Sequence, residues 1–178
     1  MEVWDVYDSN RRKTSKQIKR GSPLSDGEYH LVVHICIFNS AGEMLIQQRQ
    51  SFKEGWPNLW DVTAGGSVLS GESSNQAASR ELFEELGLAV SFEAFRPNLT
   101  INFDQGFDDF YLLEMDTDLD TLVLQQKEVQ AVRWANEQEI QMMITEGSFI
   151  PYYGSLIQLF FDMKGNFGCQ SQCEVHLT

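Results

Sequence analysis

The chain has 178 residues, 42% hydrophobic and 12% aromatic, which suits one packed domain with extensions rather than a disordered segment. A formal net charge of −13 argues against general affinity for nucleic-acid polymers or anionic membranes, so an anionic substrate would need a local cationic patch or bound metal. Three cysteines do not make a disulfide framework, no apolar run approaches the ~20 residues that span a bilayer, and Met1–Asp5 lacks the charged-then-apolar order of a secretion signal; a cytoplasmic protein is expected.

Residues 2–8 alternate enough for a short strand. Residues 9–27 are polar, and Arg11, Arg12, Lys13, Lys16, Lys19 and Arg20 supply six of the thirteen basic side chains. Gly21, Ser22, Pro23 and Gly27 break any helix there. Two readings stand for this basic segment: a solvated connection, or a flap over the active site that meets phosphates. Tyr29 to Phe38 reads as a strong strand rich in β-branched residues. Asn39 to Gly42 is a turn, and Glu43 to Arg49 returns as the hairpin partner. His30 and His34 share one face of the first strand; each is either structural or a substrate contact. The loop 50–59 carries Phe52 and Trp56, with Arg49 and Lys53 flanking the aromatics. This reads as a base-stacking platform with two phosphate-binding cations, with Trp60 assigned to the core. A short strand follows at Trp60–Thr63.

The next stretch organises everything else. Gly65 and Gly66 enter a loop ending at Glu72, and a helix follows carrying Arg80, Glu81, Glu84 and Glu85. Ser73 with Gln76 forms a capping box, and Gly87 is a left-handed stop. At about 100° per residue, Glu81, Glu84 and Glu85 fall on one arc, while Ala78, Leu82, Phe83 and Leu86 lie on another side that can enter the core. Three like charges on one arc repel by a few tenths of a kcal/mol per pair, a repulsion that a hard divalent cation with oxygen ligands would relieve.

From Gly66 through Glu72 to Arg80-Glu81-Leu82-Phe83-Glu84-Glu85-Leu86-Gly87-Leu88, the residue types and spacing resemble the Nudix box of the MutT-type hydrolases. The resemblance implies an α/β/α sandwich with a mixed sheet, the loop–helix at its centre and an added N-terminal strand. It also implies metal-dependent attack of water on the phosphorus of a nucleoside diphosphate linked to another moiety. Glu84 and Glu85 would then be the principal metal ligands, with the Gly66 carbonyl a further one and Glu81 either a ligand or the base. Arg80 would pair with Glu72 and lock the loop onto the helix. Mg²⁺ is the expected ion, with Mn²⁺ as an alternative.

Beyond the helix, Ala89–Arg96 is expected as a strand broken by Pro97, with Leu99–Phe103 another and Phe107–Met115 pairing back on it. Residues 116–120 form an acidic loop without the glycine and terminal Glu of a calcium loop. Glu128 to Trp134 reads as a last strand, followed by a helix from about Asn136 to Thr145 and a closing helix at Ser155–Met163, whose Phe160 and Phe161 face either the sheet or a homodimer partner. The family resemblance extends to this strand ending in Trp, and it makes Glu128 a further ligand or base. Residues 164–178 form a polar tail in which Cys169, Cys173 and His176 lack the fourth ligand of a zinc site. The expected organisation is 1–28 as an N-terminal strand and basic connection, 29–163 as the catalytic domain, and 164–178 as the tail.

The strand at Trp4, the run from His30 to Asn39, and Trp56-Pro57-Asn58-Leu59-Trp60-Asp61 followed by Gly65-Gly66 are similar to the isopentenyl-diphosphate isomerase branch of the same superfamily. That branch implies a catalytic cysteine just after the loop tryptophan, where this chain has Asp61-Val62-Thr63, and only His30 matches one of its histidines. The expected activity is therefore hydrolysis of a small phosphorylated substrate, the alternatives being isomerase-like chemistry or a nucleotide-sensing module that binds without turnover.

Overall fold

The computed structural model describes residues 2–170; Cys173 and His176 of the weighed tail site lie outside them, and Cys169 is exposed. Two strands come first, β1 (Val3–Tyr7) and β2 (Lys13–Lys19), paired antiparallel. The central sheet contains β3 (His30–Phe38), β4 (Met44–Arg49), β5 (Trp60–Asp61), β6 (Ala64–Ser67), β7 (Leu99–Phe103), β8 (Gly106–Glu114) and β9 (Val129–Ala135). Three helices complete the fold: α1 (Ser74–Leu86), α2 (Glu137–Glu146) and α3 (Gly154–Met163). The sheet is mixed, because β3 runs parallel to β8 over nine registered residues while its other pairings are antiparallel.

Strand β3 divides the core by its period of two. Leu31, Val33, Ile35 and Ile37 pack with Ala77, Ala78, Leu82 and Leu86 of α1, whereas Cys36 and Phe38 pack with Ile140 and Met143 of α2 and Ile157, Phe160 and Phe161 of α3. This gives the expected α/β/α sandwich. Phe160 and Phe161 thus go to the sheet.

Local signals place the helices. Ser73 Oγ accepts the Gln76 N–H while the Gln76 side chain accepts the Ser73 N–H, and Gly87 closes α1 at φ 72°. The same capping box recurs in Asn136 and Glu139 at the start of α2. Phe83 differs from expectation: it is 58% exposed, because the buried arc of α1 continues through Leu82 and Leu86 to Glu85, which takes the inward position instead.

Three further expectations are corrected. The hairpin of β3 and β4 is paired at Phe38–Met44 alone. The strands then diverge, β3 lying between β6 and β8 and β4 between β5 and β9, which opens a cleft where they part. Residues 89–96 form no strand, since the edge beside β8 belongs to β7. Phe92 instead plugs the core, fully buried, with its N–H given to Ser79 Oγ of α1 at 3.0 Å. The basic segment 9–27 is not a plain connection, because it contains β2. That strand is almost wholly exposed, with only Ile18 half-buried, so pairing with β1 rather than burial creates it, and no apolar alternation announces it.

The hairpin β1–β2 docks on the sandwich. Tyr7 and Tyr29 exchange backbone hydrogen bonds of 2.8 and 3.0 Å, and the Trp4 ring stacks on His30 at 4.4 Å. At the hairpin turn Arg11, held at φ 59°, pairs with the fully buried Asp109, which also accepts the hydroxyls of Ser74 at 2.5 Å and Thr100 at 2.6 Å. A carboxylate buried with this many donors is costly to delete, because the donors lose a shared buried acceptor. Asp109→Ala should lower unfolding stability by about 2–4 kcal/mol in urea denaturation; a loss below about 0.5 kcal/mol would show the clasp to be decorative.

Candidate functional site

Arg80 is the hub of the acidic helix. Its Nε and Nη2 donate to the two oxygens of Glu72 at 2.7 and 2.9 Å, a bidentate pair that fixes both planes. Nη2 also reaches the Ser67 carbonyl at 3.1 Å, and Nη1 donates to Glu81 at 2.7 Å and Glu84 at 3.2 Å. Burial opposes the charge on Arg80, but Glu72 and Glu81 outweigh it and hold the guanidinium firmly protonated. Glu72, whose second oxygen takes the Leu69 N–H at 3.0 Å, is held below the usual carboxylate range: its burial pushes up, and Arg80 and that N–H overcome it. The expected lock between loop and helix is present in the geometry.

Glu85 sits deepest, 4% exposed. Its Oε2 accepts the Gln47 amide at 2.8 Å and the Gly65 N–H at 3.2 Å. Burial pushes its carboxyl up to about 8, the charge of Glu81 adds, and the two hydrogen bonds oppose. Burial likewise raises Glu81, with Arg80 opposing. Gly66 completes the centre, because a Cβ there would collide with the Glu81 carboxylate; only glycine lets main chain and carboxylate meet so closely.

Among the described residues no three His, Cys, Asp or Glu side chains already stand together as a metal cage, since Arg80 holds Glu81 and Glu84 while Gln47 holds Glu85. The donor set nevertheless fits a hard divalent cation: three carboxylates and a glycine backbone, with two of the carboxyls pushed up by burial.

These groups line a cleft of about 410 Å³. It also gathers Arg49, Lys53, Trp56 and Glu128, which come from β4, the following loop and the entry to β9. Lys53 pairs with Glu128, and Arg49 lies 3.7 Å from Asp61 and donates to the Gly55 carbonyl at 3.1 Å. Trp56 stands half-exposed at φ 51°, a conformation costing a bulky residue about 1–2 kcal/mol. Neighbouring Asn58 is pinned by Gln48 at 2.9 Å and Gln130 at 3.0 Å, which holds that loop. Trp60, by contrast, packs on the core with Arg133 over its ring.

Two expected residues stand outside. Glu72 lies behind the loop, acting through Arg80. His30 is sandwiched between Trp4 and Phe103 and does not line the cleft; burial lowers its affinity for a proton. His34 does line it, with Nε2 3.1 Å from Asp108. Of the basic segment, Arg20 alone reaches the cleft, paired with Glu2 at 2.6 Å. Asp61, Asp108 and Tyr152 also line it, with the Tyr152 hydroxyl donated to Asp61 at 2.9 Å. Sequence reasoning missed these three. Asp108 was hidden because its neighbour across β3–β8 is 76 residues away, and no local pattern encodes that pairing.

Glu85 gives a pH prediction with a defined sign. Its metal-free folded value of about 8 lies above the ordinary 4.5, so the fold holds an extra proton between those values and loses stability as pH rises through them. A divalent cation would cancel that penalty, so the rise in Tm on adding Mg²⁺ should be larger at pH 8 than at pH 6 in thermal melts. Equal or reversed shifts would contradict it. Gly66→Ala should fold with near-normal Tm yet lose at least ~10-fold in turnover, because the flexible Glu81 carboxylate, not backbone, must move; normal turnover would show that the close approach is dispensable.

The NUDIX domain profile matches residues 28–153. An uncharacterised Nudix hydrolase of Listeria monocytogenes is 47% identical over 160 residues, covering 90% of this chain and 94% of that one. The crystal structure of DR0079 from Deinococcus radiodurans superposes with a TM-score of 0.70 at 27% identity, covering 89% of this chain and 97% of that one. An isopentenyl-diphosphate Δ-isomerase of Pectobacterium atrosepticum is 33% identical over 103 residues, covering 58% and 55% of the two chains. The uninterrupted box on α1 and the profile match over most of the sequence lead to one conclusion: the chain belongs to the Nudix hydrolase family.

Proposed function

We propose that this chain is a divalent-metal-dependent hydrolase cleaving a phosphoanhydride bond of a nucleoside di- or triphosphate or a related small diphosphate. The observation that carries the reading is the meeting, in one cleft, of the acidic face of α1 with the cations Arg49, Lys53 and Arg20. Carboxylates alone would repel a diphosphate, and cations alone would bind it without cleaving it.

When bound, Mg²⁺ (or Mn²⁺ in its place) would neutralise phosphate oxygens and lower the pKa of a coordinated water. Glu84 and Glu85, with the Gly66 carbonyl, would hold it. Glu81 or Glu128 would take the proton of the attacking water, whose oxygen bonds to phosphorus as the bridging P–O bond breaks and its electron pair leaves with the departing phosphate. Arg49 and Lys53 would orient the substrate phosphates, and Trp56 at the rim would stack on a base or other flat group. The catalytic unit in this reading spans 29–163, with the N-terminal hairpin packed upon it. Among the described residues no helix is long and apolar enough to cross a membrane, and we place the activity in the cytoplasm on small phosphorylated compounds, with homodimerisation as the assembly to check.

Isomerase-like chemistry is disfavoured by the position of the thiols. Cys36 is fully buried, and burial pushes its thiol well up; among the described residues no cysteine lines the cleft. The deciding assay measures phosphate and pyrophosphate release from a panel of nucleotides and diphosphates with Mg²⁺, Mn²⁺ or chelator. Release should require metal, and Glu84→Gln should lower turnover by at least ~10²-fold with Tm unchanged. Unchanged turnover of that variant under saturating Mg²⁺ would sink the assignment; nucleotide binding without any release would make the protein a sensor.

A further inference from the structure

The turn that precedes Glu72 closes on itself, the Glu72 N–H donating to the Leu69 carbonyl at 3.0 Å and Glu72 Oε2 accepting the Leu69 N–H at 3.0 Å, and it is also held from outside. Gly71 takes φ 88°, and the turn's outward backbone groups find their partners on β1. The Ser70 N–H donates to the Val3 carbonyl at 2.8 Å, and the Gly71 N–H donates to Asp5 Oδ2 at 2.8 Å. Ser70 Oγ donates to Asp5 Oδ1 at 2.8 Å. Two groups of β2 complete the shell of the same carboxylate: the Gln17 amide at 3.1 Å and the Lys13 ammonium at 2.6 Å. Asp5 is 3% exposed. Burying a carboxylate costs several kcal/mol unless its oxygens are fully satisfied, so its presence here needs a compensating set of donors, and two of them belong to the loop.

The loop in turn governs the centre. Ser70 and Gly71 lead directly into Glu72, Glu72 grips Arg80 with both oxygens, and Arg80 holds Glu81 and Glu84. We propose that Asp5 is a positioning residue of the active centre: from outside the Nudix box, it fixes the Ser70–Gly71 turn and thereby the Glu72–Arg80 pair that aligns the carboxylates of α1. The hairpin is then part of the catalytic apparatus rather than an appendage. This rests on the reading of the acidic face of α1 as the metal-binding centre.

The test compares wild type, Asp5→Ala, Ser70→Ala and Arg11→Ala. Arg11 anchors the same hairpin at its opposite end, on Asp109, without touching the loop. The readouts are Mn²⁺ affinity by electron paramagnetic resonance, the Mg²⁺ concentration for half-maximal turnover, and kcat and KM at saturating metal. Removing groups that orient metal ligands directly costs about 10- to 100-fold in affinity or activity. Asp5, one step further back, should cost roughly 5- to 10-fold in Mn²⁺ affinity and in half-activating Mg²⁺, lower kcat, and leave substrate KM within about twofold. Ser70→Ala, which deletes one donor and spares the hairpin, should move the metal constants in the same direction by a smaller factor. Arg11→Ala should keep them at the wild-type level even with a lower Tm.

Wild-type metal constants in Asp5→Ala would overturn the proposal, as would an equal loss in Arg11→Ala, which would reduce the hairpin to general stabilisation. Should Asp5→Ala not fold, wild-type Mn²⁺ affinity in Ser70→Ala would overturn it instead. A wild-type protein that binds no Mn²⁺ would take down the reading of the centre and the proposal together; wild-type binding with an unaffected Asp5→Ala removes the proposal alone.

Discussion

The placement of one guanidinium governs the rest of this structure. Arg80 is the sole cation on the acidic face of α1, and it is bonded at once to the loop through Glu72 and Ser67 and to the helix through Glu81 and Glu84. Without it, three carboxylates would share a partly buried arc with nothing to offset their repulsion. With it, the loop cannot move independently of the helix, and Gly65 and Gly66 are presented to Glu85 and Glu81. The fork geometry matters as much as the charge, because a lysine could not bind both Glu72 oxygens and still reach Glu81.

The remaining electrostatics follow from burial. Glu85 occupies an inward position of α1 that an apolar residue would normally take, and it is tolerated because Gln47 and the Gly65 N–H satisfy it. Its raised proton affinity comes from burial first and from the neighbouring Glu81 charge second. The cations that line the cleft, Arg49, Lys53, Arg20 and Arg80, are each already engaged with an acidic partner. Any incoming anion must compete for them, which favours ligands of high negative charge over weakly charged ones.

The fold positions these groups by parting two strands. Because β3 and β4 pair at a single residue and then diverge, the main chain opens a gap between them, floored by β6 and α1 and walled by the 50–59 loop and the N-terminal hairpin. That hairpin docks partly through apolar groups, with Val6 buried in the core and the Trp4 ring stacked on His30. Ion pairs and hydrogen bonds, through Asp5 to the loop and through Arg11 to Asp109, add the directional specificity that apolar contact lacks.

Local chemistry was legible in the chain. The capping box of α1, its glycine stop, the alternation of β3 and the acidic arc of α1 all depend on residues within one or two turns of each other, and they appear where periodicity and capping put them. The run of Arg49, Lys53 and Trp56 along one loop was readable for the same reason, whereas Glu72 with Arg80 came from the family resemblance. What depended on distant partners was not legible. Strand β2 exists through pairing with β1, residues 89–96 gave up their strand because β7 holds the sheet edge, and His30 turned under Trp4 while His34 and Asp108 met across β3–β8. The sequence by itself determined which acidic residues of α1 share a face, since spacing along a helix sets it. Only the tertiary structure decided which of them meet in one cleft and which carboxylate is buried, because those depend on strand pairings between residues that are neighbours in space and not in the chain.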